Sequence, residues 1–202
     1  MLAIVDYGVG NLFSLRSSLK FIGVDAVITG DADELRAAER IILPGVGAFG
    51  DAAEALRCRG LDEVLCREAV GGKPLLGICL GMQLLFEKSY EYGEHRGLGL
   101  LEGEVVPMQG RLAPSLRLPH IGWNALHIKK PCPILKYVGE GEHVYFVHSF
   151  FVPGENENTC AVAEYGEWVT ATAAKDNVFG CQFHPEKSGE TGLAILRAFC
   201  EL

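Results

Sequence analysis

Short apolar runs alternate with amphipathic segments through the first half of the chain, and this alternation constrains the fold more than any other feature. The apolar runs, at residues 2–5, 24–28, 40–43 and 74–78, have the length and composition of buried strands. Helical patterns lie between them: one begins after Asn11, whose side chain suits a helix cap, and others cover residues 51–57 and 61–70. The alternation predicts a mostly parallel central sheet flanked by helices on both faces.

After about residue 100 the pattern changes to consecutive strands. Strand-like runs cover residues 101–107, 121–128, 144–152, 160–165, 168–174 and 178–183, with turn signals between them. A last helix is expected after Ser188, which we assign as its cap. The expected fold is therefore a single α/β domain over residues 1–202, with an antiparallel β addition in its C-terminal half.

The charge balance argues against nucleic acid as a partner. The net charge is −8, and the basic residues form only short pairs such as Lys129-Lys130, whereas a phosphate-binding surface needs a cluster of them. No apolar run approaches the roughly 20 residues that span a bilayer. Residues 1–11 also lack the pattern of a signal peptide, so we expect no membrane contact.

The cysteines do not have the spacing of a disulfide framework or of a zinc site. They are odd in number and stand at positions 58, 66, 79, 132, 160, 181 and 200. A chain with unpaired thiols fits a reducing compartment, so the predicted location is the cytoplasm. We expect no metal and no other cofactor.

The segment Gly77-Ile78-Cys79-Leu80-Gly81 lies where a predicted strand gives way to a predicted helix. Its glycines permit a tight turn that presents the side chain between them. The thiol of Cys79 then lies at a helix N-terminus, which favours the thiolate, and the Leu80 N–H can donate to an oxyanion. The same pattern also fits a small buried cysteine at a turn, so a second observation is needed.

His184 supplies that observation. It follows the predicted strand 178–183 and precedes Pro185 and Glu186. Proline makes the chain turn, and the ends of parallel strands meet at one edge of a sheet, so His184 and Cys79 can meet. A thiolate catalyst needs an imidazole and a group that orients it, and Glu186 can be that group. The remaining histidines are interpreted as structural or surface residues (His95, His120, His127 and His143) or as lining a pocket (His148).

Residues 77–83 (GICLGMQ) and 183–186 (FHPE) together resemble the class I, triad-type glutamine amidotransferases. The resemblance runs from residue 2 to the C-terminus. It implies that Cys79 is the nucleophile, that His184 is the general base and acid, and that Glu186 orients His184. It also implies an oxyanion hole formed by three residues, Val46, Gly47 and Leu80.

The same resemblance implies a binding site for L-glutamine. Gln83 and Glu91 match positions that hold the substrate in the family. The backbone around His148, Ser149 and Phe150 matches the segment that receives the α-carboxylate of the substrate.

Four further segments, residues 4–11, 44–49, 121–124 and 184–189, are similar to one branch of the class. Members of that branch pass ammonia to a separate (β/α)₈-barrel cyclase subunit in histidine biosynthesis, which implies a heterodimer. Asn11, Trp123 and Lys187 are the residues expected to face the cyclase. Other branches usually carry a second glycine in the oxyanion loop and a serine after the HPE motif, where this chain has Val46 and Lys187.

Val46 also suggests how activity is controlled. A β-branched residue is stiff and disfavours positive φ, so we expect slow turnover by the isolated chain until a partner reshapes the loop. Two other functions remain open at this point. A cysteine peptidase or thiol hydrolase would leave Gln83 and the HPE motif unexplained, and a catalytically silent partner domain would not need a complete triad.

Overall fold

The computed structural model of the chain describes residues 1–113 and 115–202. Its strands are β1 (Leu2–Val5), β2 (Ala26–Thr29), β3 (Arg40–Gly45), β4 (Leu75–Cys79), β5 (Phe86–Ser89), β6 (His95–Arg96), β7 (Leu101–Pro107), β8 (His120–Ala125), β9 (His127–Ile128), β10 (His143–His148), β11 (Phe150–Phe151), β12 (Thr159–Glu164), β13 (Trp168–Lys175) and β14 (Val178–Cys181). Its α-helices are α1 (Leu12–Phe21), α2 (Ala32–Ala37), α3 (Phe49–Cys58), α4 (Leu61–Val70), α5 (Leu80–Leu85) and α6 (Gly189–Cys200). Single turns of 3₁₀-helix cover Pro133–Leu135 and Pro185–Lys187.

Eight strands form the central sheet, in the order β2-β1-β3-β4-β14-β13-β12-β9. The first five are parallel to their neighbours, and the last three continue the sheet in antiparallel fashion. Two smaller sheets pair β8 with β10 and order β11-β7-β5-β6. The predicted fold class, a mostly parallel sheet with an antiparallel addition, is confirmed.

Alternate residues of the central strands pack on opposite faces of the sheet. Ala3 and Val5 of β1 belong to the apolar cluster that is covered by α2, α3, α4 and α5. Leu2 and Ile4 belong to the cluster that is covered by α1 and α6. Because both faces are covered, β1 consists of four consecutive buried apolar residues, which is the pattern that the sequence presented.

Several strands end before the residue predicted from the sequence or divide into two, because the chain changes its pairing partner. The predicted strand 121–128 divides at Leu126, since β8 pairs with β10 but β9 pairs with β12. The predicted strand 144–152 divides at Ser149, where pairing passes from β8 to β7. The predicted strand 178–183 ends at Cys181, so His184 stands in the following loop rather than at the strand end.

The two predicted helix caps are correct in position but not in chemistry. Asn11 and Ser188 precede α1 and α6, yet neither side chain makes a capping hydrogen bond. The Ser188 hydroxyl instead donates to the carbonyl oxygen of His184 at 2.6 Å and accepts from the backbone N–H of Tyr145 at 3.0 Å. Ser188 therefore holds the loop that carries His184.

Candidate active site

A tight turn between β4 and α5 carries Cys79. Its φ of +55° lies in the left-handed region that favours glycine, so the residue is strained. A Cβ at Gly77 would lie 2.6 Å from the carbonyl oxygen of Gly81, and a Cβ at Gly81 would lie 1.9 Å from that of Leu43. The two glycines therefore let the turn form beneath Cys79, as the sequence pattern predicts.

We expect Gly81→Ala to lower the free energy of unfolding by about 3 kcal/mol, because the added methyl group would overlap rigid backbone. Urea unfolding followed by circular dichroism measures the loss. Gly139→Ala is the matched control, since its Cβ would approach nothing closer than 3.4 Å. Its free energy of unfolding should stay within about 0.5 kcal/mol of wild type. Equal midpoints for both variants would contradict this explanation of the turn.

His184 and Glu186 form a buried pair beside this turn. His184 Nδ1 lies 2.9 Å from Glu186 Oε1, and each side chain is 3% exposed. His184 Nε2 has no hydrogen-bond partner among the described residues, which leaves it available to the thiol of Cys79 and to a substrate. Burial lowers the pKa of His184, but Cys79 and Glu186 outweigh burial and raise the pKa to about 9. A proton is therefore held at this imidazole at neutral pH.

The Cys79 thiol lies among backbone and amide groups. Its Sγ is 3.8 Å from the carbonyl oxygen of Val147 and 3.8 Å from Nε2 of Gln182. A neighbouring cysteine has different surroundings: burial, together with the charges of Glu186 and Cys79, raises the pKa of Cys181 well above its ordinary value. Of these two thiols, only Cys79 opens onto a cavity.

That cavity has a volume of about 320 Å³, which is within the range of small-molecule sites. Eleven residues are predicted for the triad, the oxyanion hole and the substrate site, and all of them except Glu186 line this cavity. These ten are Cys79, His184, Val46, Gly47, Leu80, Gln83, Glu91, His148, Ser149 and Phe150. Lys187, Pro119 and Val147 complete the wall. In the oxyanion loop the positive φ (+95°) falls on Gly47, and Val46 is exposed.

Gln83 is buried and its amide nitrogen is already used. Nε2 donates to the carbonyl oxygen of Phe150 and to Oε1 of Gln182, both at 2.9 Å. Both N–H groups of the Gln83 amide are therefore occupied within the chain. Gln182 touches both Gln83 and the thiol of Cys79, but the sequence reasoning missed it; its signal was a polar residue within an apolar strand-like run.

Two buried histidines are in contact at the cavity wall: His148 lines the cavity, and His120 lies against His148. His148 Nδ1 lies 2.9 Å from the carbonyl oxygen of Phe150, and its Nε2 lies 3.0 Å from Nδ1 of His120. Burial, and then the charge of His120, lowers the pKa of His148 to about 3, so the ring is neutral at physiological pH. Asn124 Oδ1 continues the chain at 2.7 Å from His120 Nε2. His120 is structural, as expected, but its contact with His148 was not foreseen.

Of the three residues expected to face a partner, Lys187 lines the active-site cavity. Trp123 is exposed and packs edge-on against Tyr145, with ring centroids 5.9 Å apart. Lys187 Nζ lies 5.9 Å from the same Tyr145 ring. Asn11 lines a small cavity together with Glu186, whose Oε2 is buried without a hydrogen-bond partner in the described part of the chain. Trp123 and Lys187 therefore both contact the ring of Tyr145.

Within residues 1–113 and 115–202, no three His, Cys, Asp or Glu side chains come together in a group suited to a metal ion. In the same residues, no helix has both the length and the apolar character needed to cross a membrane.

Sequence comparison identifies relatives along the whole chain. The family model described as glutamine amidotransferase class-I matches residues 3–201. The imidazole glycerol phosphate synthase subunit HisH of Caldanaerobacter subterraneus subsp. tengcongensis is 53% identical over 203 residues, covering 100% of this chain and 98% of the relative. The subunit of the same name from Wolinella succinogenes is 49% identical and covers 100% of both chains.

Solved structures share the fold. The structure of PurLQS from Thermotoga maritima superposes with a TM-score of 0.78 at 23% identity, over 99% of this chain and 97% of that one. A crystal structure described as a glutamine amidotransferase gives a TM-score of 0.76 at 20% identity, over 98% and 97% of the two chains.

Proposed function

The chain belongs to the class-I glutamine amidotransferase family, and on that premise we propose that Cys79, His184 and Glu186 hydrolyse the side-chain amide of L-glutamine. The ammonia goes to the cyclase that makes imidazole glycerol phosphate in histidine biosynthesis. One observation carries the assignment of the triad. Glu186 holds Nδ1 of His184 at 2.9 Å, while the other ring nitrogen has no hydrogen-bond partner among the residues that the structure describes.

The reaction follows from the position of Cys79 and from the protonation of His184. The Cys79 thiolate attacks the amide carbon, and the N–H of Leu80, with an amide of the Val46 and Gly47 loop, stabilises the oxyanion. His184, whose pKa is raised to about 9, gives its proton to the departing ammonia. The same imidazole then takes a proton from the water that cleaves the γ-glutamyl thioester.

The substrate is held along the cavity wall. The amide oxygen of Gln83 accepts from the substrate amide, because the nitrogen of Gln83 is already bonded to Phe150 and Gln182. The carboxylate of Glu91 takes the α-ammonium group. The backbone of Ser149 and Phe150 receives the α-carboxylate.

The proposed partner is a (β/α)₈-barrel cyclase subunit, which docks on the face that carries Asn11, Trp123 and Lys187. This face adjoins the cavity through Lys187, so ammonia leaves Cys79 next to the contact. In this arrangement residues 1–202 act as a single glutaminase domain in the cytoplasm, where the seven unbridged cysteines stay reduced.

An electrophilic glutamine analogue tests the proposal. We expect a chloroketone analogue of glutamine to label Cys79 at one equivalent per chain, since its carbonyl and amino-acid groups fit the same subsites. Peptide mapping by mass spectrometry locates the label, and excess L-glutamine should protect Cys79. Labelling of other cysteines with no protection by glutamine would contradict the proposal.

The same experiment separates the two other functions that the sequence left open. A peptidase would hydrolyse peptides and would not be protected specifically by glutamine. A silent regulatory domain would remain unlabelled even with the cyclase present.

A further inference from the structure

Helix α3 begins immediately after the oxyanion loop and lacks a cap of its own. Its N-cap residue is Ala48, which has no side-chain acceptor. The first helical N–H, that of Phe49, donates instead to Oε2 of Glu91 at 2.6 Å, from a residue 42 positions later in the chain. A carboxylate at this end of a ten-residue helix is also favoured by the helix dipole. Glu91 therefore acts as a cap supplied from a distance.

A second contact places the segment of residues 90–95 against the same turn of α3. The ring of His95 packs so closely on Gly50 that a Cβ at Gly50 would lie 2.7 Å from Cε1 of His95. Phe49, between the capped N–H and Gly50, is completely buried. The first turn of α3 is thus fixed to residues 90–95 by a hydrogen bond and by close packing.

The oxyanion loop is held between two fixed ends. On one side Gly45, the last residue of β3, pairs in register with Cys79 of β4. On the other side stands Phe49, which is bonded to Glu91. Only Val46, Gly47 and Ala48 lie between these ends. The position of Phe49 therefore helps to decide where the amides of Val46 and Gly47 point.

We propose that Glu91 is a positioning residue for the oxyanion hole, in addition to its part in binding glutamine. One carboxylate oxygen holds the start of α3, and the other is left for the α-ammonium group of the substrate in the cavity that Glu91 lines. The same carboxylate therefore couples substrate binding to the position of the loop that stabilises the oxyanion. This inference rests on the proposed glutaminase function.

Two substitutions at Glu91 separate its two proposed functions, which are to hold the start of α3 and to bind the α-ammonium group. Glu91→Gln keeps an oxygen that accepts from the Phe49 N–H but loses the charge that attracts an ammonium group. We expect KM for glutamine to rise about 10- to 100-fold with kcat within about threefold of wild type. Glu91→Ala loses both functions, so kcat should also fall, by about tenfold or more, toward the loss of roughly 10²–10³ seen when an oxyanion donor is removed.

Two further measurements exclude a general structural effect. Glutaramate is glutamine without its α-amino group, so it offers no ammonium for Glu91 to bind. With this substrate the kcat of Glu91→Ala should still fall about tenfold or more below that of Glu91→Gln. Iodoacetamide alkylates a thiolate by direct displacement and forms no oxyanion. We therefore expect Glu91→Ala to be alkylated at Cys79 at the wild-type rate although its turnover is low.

Glu94→Gln and Glu94→Ala are the matched controls. Glu94 lies in the same segment, but its carboxylate is exposed and lies 3.8 Å from Lys88 rather than at α3. Both controls should keep wild-type kinetics. All variants are assayed with the cyclase subunit bound.

Equal kcat for Glu91→Gln and Glu91→Ala would overturn the inference, and so would loss of iodoacetamide reactivity in Glu91→Ala. Failure of the wild-type complex to hydrolyse glutamine at all would instead refute the proposed function on which the inference depends.

Discussion

Replacing Cys79 with alanine should lower kcat for glutamine hydrolysis by roughly 10⁴- to 10⁶-fold, the loss typical of removing a nucleophile from a triad. No thioester can then form, and the raised pKa of His184 loses one of its two causes. Enzymatic detection of glutamate at saturating glutamine measures the loss. Since Cys79 and His184 act as one unit, the double variant Cys79→Ala/His184→Ala should be no slower than the slower of the two single variants.

Cys58→Ser provides the control for this experiment. Cys58 is exposed on α3 and its thiol contacts Glu54 rather than the cavity. It should keep wild-type kcat. More than about a tenth of wild-type activity in Cys79→Ala would remove Cys79 from the role of nucleophile.

Glu186→Gln should lower kcat by roughly 10⁴-fold, which is the order of loss when the orienting carboxylate of a triad becomes an amide. The substitution keeps the size of the side chain but removes the negative charge that lies 2.9 Å from Nδ1 of His184. An amide also permits the wrong tautomer of the imidazole. Both effects reduce the fraction of enzyme that can protonate the leaving ammonia.

The pH dependence gives a second readout of the same substitution. The pKa of His184 is raised to about 9, so the imidazole keeps its proton below that pH and loses it above. Wild-type kcat/KM should therefore fall as the pH rises through about 9. In Glu186→Gln one of the two causes of the raised pKa is gone, so the fall should begin at lower pH.

The control for Glu186 is Glu190→Gln, an exposed carboxylate in the first turn of α6. It should keep both kcat and the alkaline limb of the wild-type profile. An alkaline limb at the same pH in Glu186→Gln and wild type would contradict the assigned coupling between Glu186 and His184.

The sequence predicted those parts of the fold that depend on local patterns. The strand at residues 2–5 is apolar throughout because both of its faces are buried, so length and composition sufficed to find it. Helix α2 was missed although it carried a local signal. Asp31 accepts from the N–H groups of Asp33 and Glu34, and the spacing of Asp31 and Glu34 resembles a capping box.

The divided strands could not be predicted in the same way. The sequence around Leu126 remains strand-like on both sides, and only the exchange of β10 for β12 as pairing partner ends one strand and begins the next. Pairing of this kind joins residues that are far apart in the chain. A local pattern carries no information about it.

The active site likewise combines residues that a local pattern predicts with contacts that no local pattern predicts. Cys79, His184 and Glu186 were predicted because each stands in a short motif whose turn chemistry is local. The bond from Phe49 to Glu91 and the contact between His120 and His148 were not, because each joins distant segments. Such contacts become visible only once the sheets have been assembled.

Release of glutamate from L-glutamine at Cys79 is tested directly by one assay. Glutamate release is measured for the wild-type chain and for Cys79→Ala, each alone and with the cyclase subunit and its nucleotide substrate. We predict release by wild type that is slow alone and faster with the cyclase, with none above background from Cys79→Ala. No glutamate from wild type in the complete mixture, or equal release by the two proteins, would contradict the claim.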